Sequence, residues 1–468
     1  MRRCVYALAY KSKRAYTILR RRKETMDIRK RTALVLSALL FGVGGSTAFA
    51  EAQYTVRDKN GQIVKQGTTT ENEEFLAVDG LEYEFNGEHR IHQGESWAGY
   101  VFGNRTKANV NGNVIGGTGI QLRNQADITV TGDVTATLKE IDYSDVDYFN
   151  EYGEWRMYCG NAIQAFIWDY DQSENLKIKV KGNVIATGDG IIAEYGNFVI
   201  EGDVVSEFEN GINVLEGLPV FIDVGGNVEG NVRRSTVSIM PNAKDQVIVR
   251  GKIEARGKQS AVDIYDVAFE YDPGETLRNL PQIMVKEITV ESGDYFTATV
   301  HHLGVEEWLE DSKNLAEAMA KATWYIVDIN QPTNGQIEVR GTSTKEGLLV
   351  AHEGDRLTVT GTPKKGYRLT GIDAGSKALV TENEDGTYTV TVERGGDVTI
   401  SALFEAVPEM PQTGDQMQIG RTILFMAASI AMLVFFENRK ENKKGVVSLK
   451  RGNSFLVQKK HSDYEKPN

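Results

Sequence analysis

Between residues 106 and 300 the chain alternates apolar and polar positions in short runs, and one phrase recurs. It reads Asn109-Val110-Asn111-Gly112-Asn113-Val114, then Thr129-Val130-Thr131-Gly132-Asp133-Val134, then Lys179-Val180-Lys181-Gly182-Asn183-Val184, then Ile200-Glu201-Gly202-Asp203-Val204. Looser copies follow at Val224-Gly225-Gly226-Asn227-Val228 and Val249-Arg250-Gly251-Lys252-Ile253. The alternation is that of a strand with one buried face. Glycine followed by Asn or Asp turns the chain, because these types tolerate left-handed backbone angles. A second short apolar strand follows each turn, as in Gly119-Ile120, Ala162-Ile163, Gly190-Ile191-Ile192, Gly211-Ile212 and Ala261-Val262. One unit is therefore strand, tight turn, strand, loop and second strand over about 20–25 residues.

Such a unit cannot bury its apolar face alone, but stacked copies can. The spacing predicts a parallel β-solenoid of seven or so rungs, on the order of 35 Å long. The repeat resembles the pectate-lyase-type right-handed β-helix. That resemblance implies a fold and leaves the activity open. The Gly-Asn and Gly-Asp positions form a ladder of Asn113, Asp133, Asn183, Asp203 and Asn227. Turn residues bonding their own backbone and one another account for it; calcium held by neighbouring carboxylates is the alternative. No other metal or cofactor is expected.

Residues 138–175 interrupt the repeat with an insertion rich in aromatics and acids. Tyr143, Tyr148, Tyr152, Trp155, Trp168 and Tyr170 are the candidate ligand-binding residues. Flat aromatic rings stack on sugars, and the interspersed carboxylates bond hydroxyls or hold calcium. A long loop whose aromatics form a satellite core is the competing reading.

Beyond the repeat, Val305, Trp308, Leu309, Leu315, Ala318, Met319 and Ala322 recur near helical spacing, predicting one amphipathic helix that caps the open end of the stack. A separate β module then runs from Gly335-Gln336-Ile337-Glu338-Val339 through Gly354-Asp355-Arg356-Leu357 and Gly366-Tyr367 to Asp397-Val398-Thr399-Ile400. It resembles the short repeat modules of wall-anchored and secreted bacterial proteins, with Ile372 where a Trp often stands. The resemblance implies a spacer or accessory binding unit.

Charge and the chain ends set the compartment. The predicted mature part, 51–413, holds 31 basic and 58 acidic residues, a net charge of −27. Such a surface repels nucleic acid and anionic membrane. Cys4 and Cys159 are the two cysteines. Thr32 to Val43 is an apolar run after Arg29-Lys30-Arg31, and it ends in Ala48-Phe49-Ala50. This predicts a signal peptide over 1–50 cleaved after Ala50, with Met26 as a possible start; a retained anchor is the alternative. At the other end stand Met410, Pro411, Gln412, Thr413 and Gly414, an apolar run from Ile423 to Phe436, and a basic cluster, Arg439, Lys440, Lys443 and Lys444. This order resembles the L-P-x-T-G sorting signal of Gram-positive cell-wall proteins, with Met410 in place of Leu and a tail continuing to Asn468. The resemblance implies that a sortase cuts after Thr413 and joins it to peptidoglycan; an uncleaved membrane anchor is the alternative.

The expected architecture is mainly β. A signal peptide (1–50) and an N-terminal β cap (51–105) precede a right-handed parallel β-solenoid (106–300). A helical cap and linker (301–330), a small β-sandwich-like repeat module (331–405), a linker with a membrane-spanning sorting helix (406–444) and a cytoplasmic tail (445–468) follow. The expected role is a wall-anchored surface protein that presents its solenoid to a glycan or an extracellular protein, with sortase and peptidoglycan as partners, no nucleic acid and no catalysis. The alternative is a surface polysaccharide lyase or glycoside hydrolase of the β-helix type, which needs acids and bases converging on one face. Asp189 and Asp203 are acids at turns, and there is no H-E-x-x-H, G-x-S-x-G or phosphate loop.

Overall fold

The structure is a computed structural model that describes residues 51–70, 73–90, 98–138, 160–167, 175–230, 235–240, 242–258, 260–266, 278–300 and 308–408. The signal peptide, the sorting motif and the expected membrane helix lie outside these residues. Among the described residues, no helix is long and apolar enough to cross a membrane.

The alternating segments stack as eight coils, each with three faces. The first face runs Glu82–Asn86, Lys107–Asn111, Asp127–Val130, Lys177–Val180, Gly196–Ile200 and Val220–Val224, then the leading halves of Gln246–Ala255 and Gln282–Val290. All of these pairings are parallel and in register. The second face stacks the strands that follow each turn, for example Val134–Ala136 on Val184–Ala186 on Val204–Ser206. The third face is a sheet of nine parallel strands from Phe75–Leu76 to Phe296–Val300. The stack thus begins before residue 106, and its first coil falls in the segment expected to be a cap. Its turn, Asn86-Gly87-Glu88, carries Glu where the next five turns carry Asn or Asp, which hid it from the pattern.

The interior is built from files of identical positions. Val110, Val130, Val180, Ile200, Val224, Val249 and Val285 stack on the first face; Val114, Val134, Val184, Val204, Val228, Ile253 and Ile288 stack on the second. All are buried. β-branched side chains suit this packing because their restricted rotamers lose little freedom on a pleated surface.

The turns between the first two faces are held by the amide ladder. The backbone N–H of Asp133 donates to Asn113 Oδ1 (3.0 Å), that of Asn183 to Asp133 Oδ1 (2.7 Å), that of Asp203 to Asn183 Oδ1 (2.9 Å), that of Asn227 to Asp203 Oδ1 (2.7 Å) and that of Lys252 to Asn227 Oδ1 (2.9 Å). Each side chain thereby fixes the height of the next coil. The glycine before it leaves room for this stacking: a Cβ on Gly251 would lie 2.5 Å from both Asn227 Oδ1 and the Gly226 carbonyl.

Both ends of the stack are dressed. At the start, Gln53–Arg57 pairs antiparallel with Glu82–Asn86 and with Ile63–Thr68. Tyr54, Phe75, Phe85 and Tyr100 plug the interior there, with ring centroids 4.6–6.1 Å apart. At the far end, the helix Trp308–Ala322 packs on the last third-face strands, with Leu315, Met319 and Ala320 buried in the common core. The strand Trp324–Asn330 continues the first face: Trp324 and Tyr325 pair parallel with Met284 and Val285. Its second half pairs parallel with Val398–Ala406 and its first half antiparallel with Leu348–His352. The chain after it adds an antiparallel sheet of Gly335–Arg340, Arg356–Pro363, Tyr388–Val392 and Ala378–Glu382.

Candidate functional site

The six aromatic candidates Tyr143, Tyr148, Tyr152, Trp155, Trp168 and Tyr170 lie outside the described residues, in segments 139–159 and 168–174. The fold fixes where those segments attach. They enter and leave at the two ends of one third-face strand, Ile163–Ala165. The Thr187 hydroxyl donates to the Leu138 carbonyl (2.5 Å), and the Gly188 N–H donates to the Gly160 carbonyl (2.9 Å), so one neighbouring coil holds both stems of the longer segment. The Ile167 N–H donates to Glu194 Oε2 (2.8 Å) where the shorter segment departs.

The outward positions of that face form one file: Val101, Gln121, Gln164, Ile192, Asn213, Ser238, Asp263 and Thr297. Outward residues of a solenoid normally meet water, yet Gln164, Ile192, Asn213 and Ser238 are all buried. Phe166, Ile192 and Leu215 form a small apolar cluster there with Tyr265, separate from the interior core. At the lower end of the file the Thr297 hydroxyl donates to Asp263 Oδ1 (2.6 Å).

A second ladder runs along the corner leading into this face. Asn161, Asp189, Asn210, Ser235 and Ser260 precede successive third-face strands. The Asp189 N–H donates to Asn161 Oδ1 (2.8 Å), and Asp189 Oδ1 accepts from the Asn210 N–H (3.0 Å) and Asn210 Nδ2 (2.9 Å). Asn213 Nδ2 donates to Asp189 Oδ2 (3.0 Å). Amide N–H groups that donate to a carboxylate in this way help hold it in place. Asp189 and Asp203, the two turn acids singled out from the sequence, are thus both engaged in stacking one coil on the next. The sequence carries a signal for this ladder, Asn/Asp/Ser two residues before the Ile or Val that opens five of the third-face strands, at Ile163, Ile191, Ile212, Val237 and Val262.

Among the described residues no group of three or more His, Cys, Asp or Glu side chains converges to hold a metal ion. Farther along the stack, burial pushes the Asp245 carboxyl up to about 7, although its Oδ1 accepts the Val220 N–H (2.9 Å).

Comparison with known protein families then locates the chain's C-terminal module. Residues 325–408 match the divergent InlB B-repeat domain. This is a bacterial surface-protein repeat. The match opens at Tyr325, within the strand that completes the solenoid's first face, so repeat and solenoid share a strand. No curated protein and no solved structure matches the chain.

The junction is tied at several further points. The Ile288 N–H donates to the Gly395 carbonyl (2.6 Å) and the Asp397 N–H to the Lys286 carbonyl (2.8 Å). Lys286 Nζ pairs with Asp328 (2.6 Å), and Arg394 reaches both Glu353 and helix residue Glu317. Ile248, Met284, Ile326 and Val350 close an apolar seam on the outside of the first face.

Proposed function

We propose that this is a secreted, cell-wall-anchored surface protein whose third solenoid face, with its aromatic insertion, binds a glycan. The observation that carries the reading is the B-repeat at 325–408, seated between a stack of coils and the Met410-Pro411-Gln412-Thr413-Gly414 motif. A sortase would cleave between Thr413 and Gly414 and leave Thr413 joined to peptidoglycan, after a signal peptidase had cut beyond Ala48-Phe49-Ala50.

Aromatic side chains offer flat apolar area to the faces of sugar rings, and the carboxylates among them accept from hydroxyls. In sequence, both aromatic segments flank one third-face strand, Ile163–Ala165. Asp189 and Asp203 serve the stacking of coils, so the reading assigns the chain binding rather than polysaccharide cleavage.

The test is a glycan array probed with the chain and with a variant in which residues 141–158 are replaced by a short Gly-Ser linker. Saturable binding lost in the variant is the expected result. Undiminished binding removes the insertion as the site, and release of unsaturated or reducing ends from a bound polysaccharide favours the lyase or hydrolase.

A further inference from the structure

At the end of the stack farthest from the repeat, one strand edge is open among the described residues. Strand Ile63–Thr68 pairs with Gln53–Arg57 on one side and, among the described residues, with nothing on the other; all six of its residues are exposed. Antiparallel ladders alternate bonded and non-bonded pairs. The Thr69 N–H donates to the Ala52 carbonyl (2.9 Å), so the bonded pairs continue at Tyr54 with Gly67, and the amides of Gln66 and Thr68 face away from the hairpin. This is a free row of donors and acceptors at strand spacing.

Beside it lies a cleft of about 380 Å³ walled by Tyr54, Phe75, Tyr83 and Val64. Four large aliphatics crowd this end: Ile63 is 52% exposed, Val64 54%, Leu76 63% and Val78 61%. Single exposed aliphatics are ordinary, whereas a cluster beside an open strand edge marks a contact surface. Glu73 and Glu74 also line the cleft, and burial raises the Glu74 carboxyl above its ordinary range.

We propose that this end takes up an extended polypeptide by strand addition to Ile63–Thr68, with alternate apolar side chains resting on the cleft and Leu76 and Val78, and a Lys or Arg facing Glu73 and Glu74. The free backbone row selects a strand: a glycan presents no such row, and a helix has already paired its own. The cleft's two carboxylates outnumber its one ammonium, Lys65, which stands over the Tyr54 ring (5.5 Å), so charge favours a cationic partner. A second copy of this chain brings another mature segment of net charge −27 to an acidic cleft.

The probe is a fluorescein-labelled octapeptide alternating valine and threonine with a lysine at each end. Its binding to the full chain is followed by fluorescence anisotropy. Saturable binding is expected, weakened at least tenfold by N-methylation of alternate peptide amides, by glutamate in place of the two lysines, and by either Gln66→Pro or Leu76→Glu. Gln66→Pro removes an outward-facing N–H at an edge position and one exposed side-chain bond, Nε2 to Thr55 Oγ1, and Leu76→Glu is a surface change, so one remains informative where the other disturbs folding. Three results overturn the proposal: no saturable binding, equal binding of the N-methylated peptide, or wild-type affinity in both variants. Dimerisation of the chain alone that Gln66→Pro abolishes would also overturn it, by making a second copy the occupant.

Discussion

A methyl group on Gly202 would stand 2.6 Å from the Gly182 carbonyl oxygen and closer still to Asn183 Oδ1. The constraint comes from the coil below, so it repeats wherever a coil has a neighbour. Gly202→Ala should destabilise the fold by about 2 kcal/mol, as overpacking does, measured as a lower midpoint in urea. Asn183→Ala leaves the Asp203 N–H without its acceptor and should cost about 1 kcal/mol in the same assay. Val184→Ala in the interior file should cost about 2–3 kcal/mol. Asp245 adds a pH dependence. Its folded carboxyl titrates at about 7 against an ordinary 3.8, because burial disfavours the charge. A raised carboxyl pKa stabilises the fold only while the group is protonated. The contribution is therefore whole below about 3.8 and lost as pH rises through 7. Asp245→Asn keeps an acceptor for the Val220 N–H and should raise stability at pH 8, by on the order of 3 kcal/mol, while changing little at pH 4. Thermal melts at the two pH values check this.

At the scale of elements, the coil was readable because its signals are local. Val180 and Val184 flank Gly182-Asn183 in a pattern that sequence alone exposes, and the parallel register places Val184 on Val204 as the repeat implies. The first coil was hidden by Glu88, which stands where the next turns carry Asn or Asp and meets the coil above differently, accepting from the Asn113 side-chain Nδ2 (3.3 Å) rather than from a backbone N–H. The shared strand could not be read at all. Trp324 and Tyr325 meet Met284 and Val285 across an intervening helix, and Gly395 to Asp397 meet Lys286 to Ile288 from more than a hundred residues away. The helix shows the reverse case, since Leu315 and Met319 announced a buried stripe and both are buried. Met319→Asp would place a charge against the third-face core. It should expose the last coil and yield soluble aggregates in size-exclusion chromatography, whereas Lys313→Asp on the exposed side should leave a monodisperse peak. The candidate ligand residues were legible only as composition. What the fold adds is their point of attachment, both ends of Ile163–Ala165.

For the whole molecule, among the described residues the first-face stack, the shared strand Trp324–Asn330 and Val398–Ala406 belong to one hydrogen-bonded sheet, while Gly335–Arg340, Arg356–Pro363, Tyr388–Val392 and Ala378–Glu382 form another. A repeat joined by a flexible linker would let the solenoid swing, whereas Trp324–Asn330, lying in both parts, sets the orientation of the third face relative to the C-terminal strand. The proposed wall attachment at Thr413 can be read directly from the cell. Cell walls stripped of membrane and digested with a muramidase should release the chain, and mass spectrometry of its C-terminal peptide should end at Thr413 carrying a peptidoglycan stem fragment. Recovery of the chain in the membrane fraction, with Gly414 and the residues after it still joined, would contradict it.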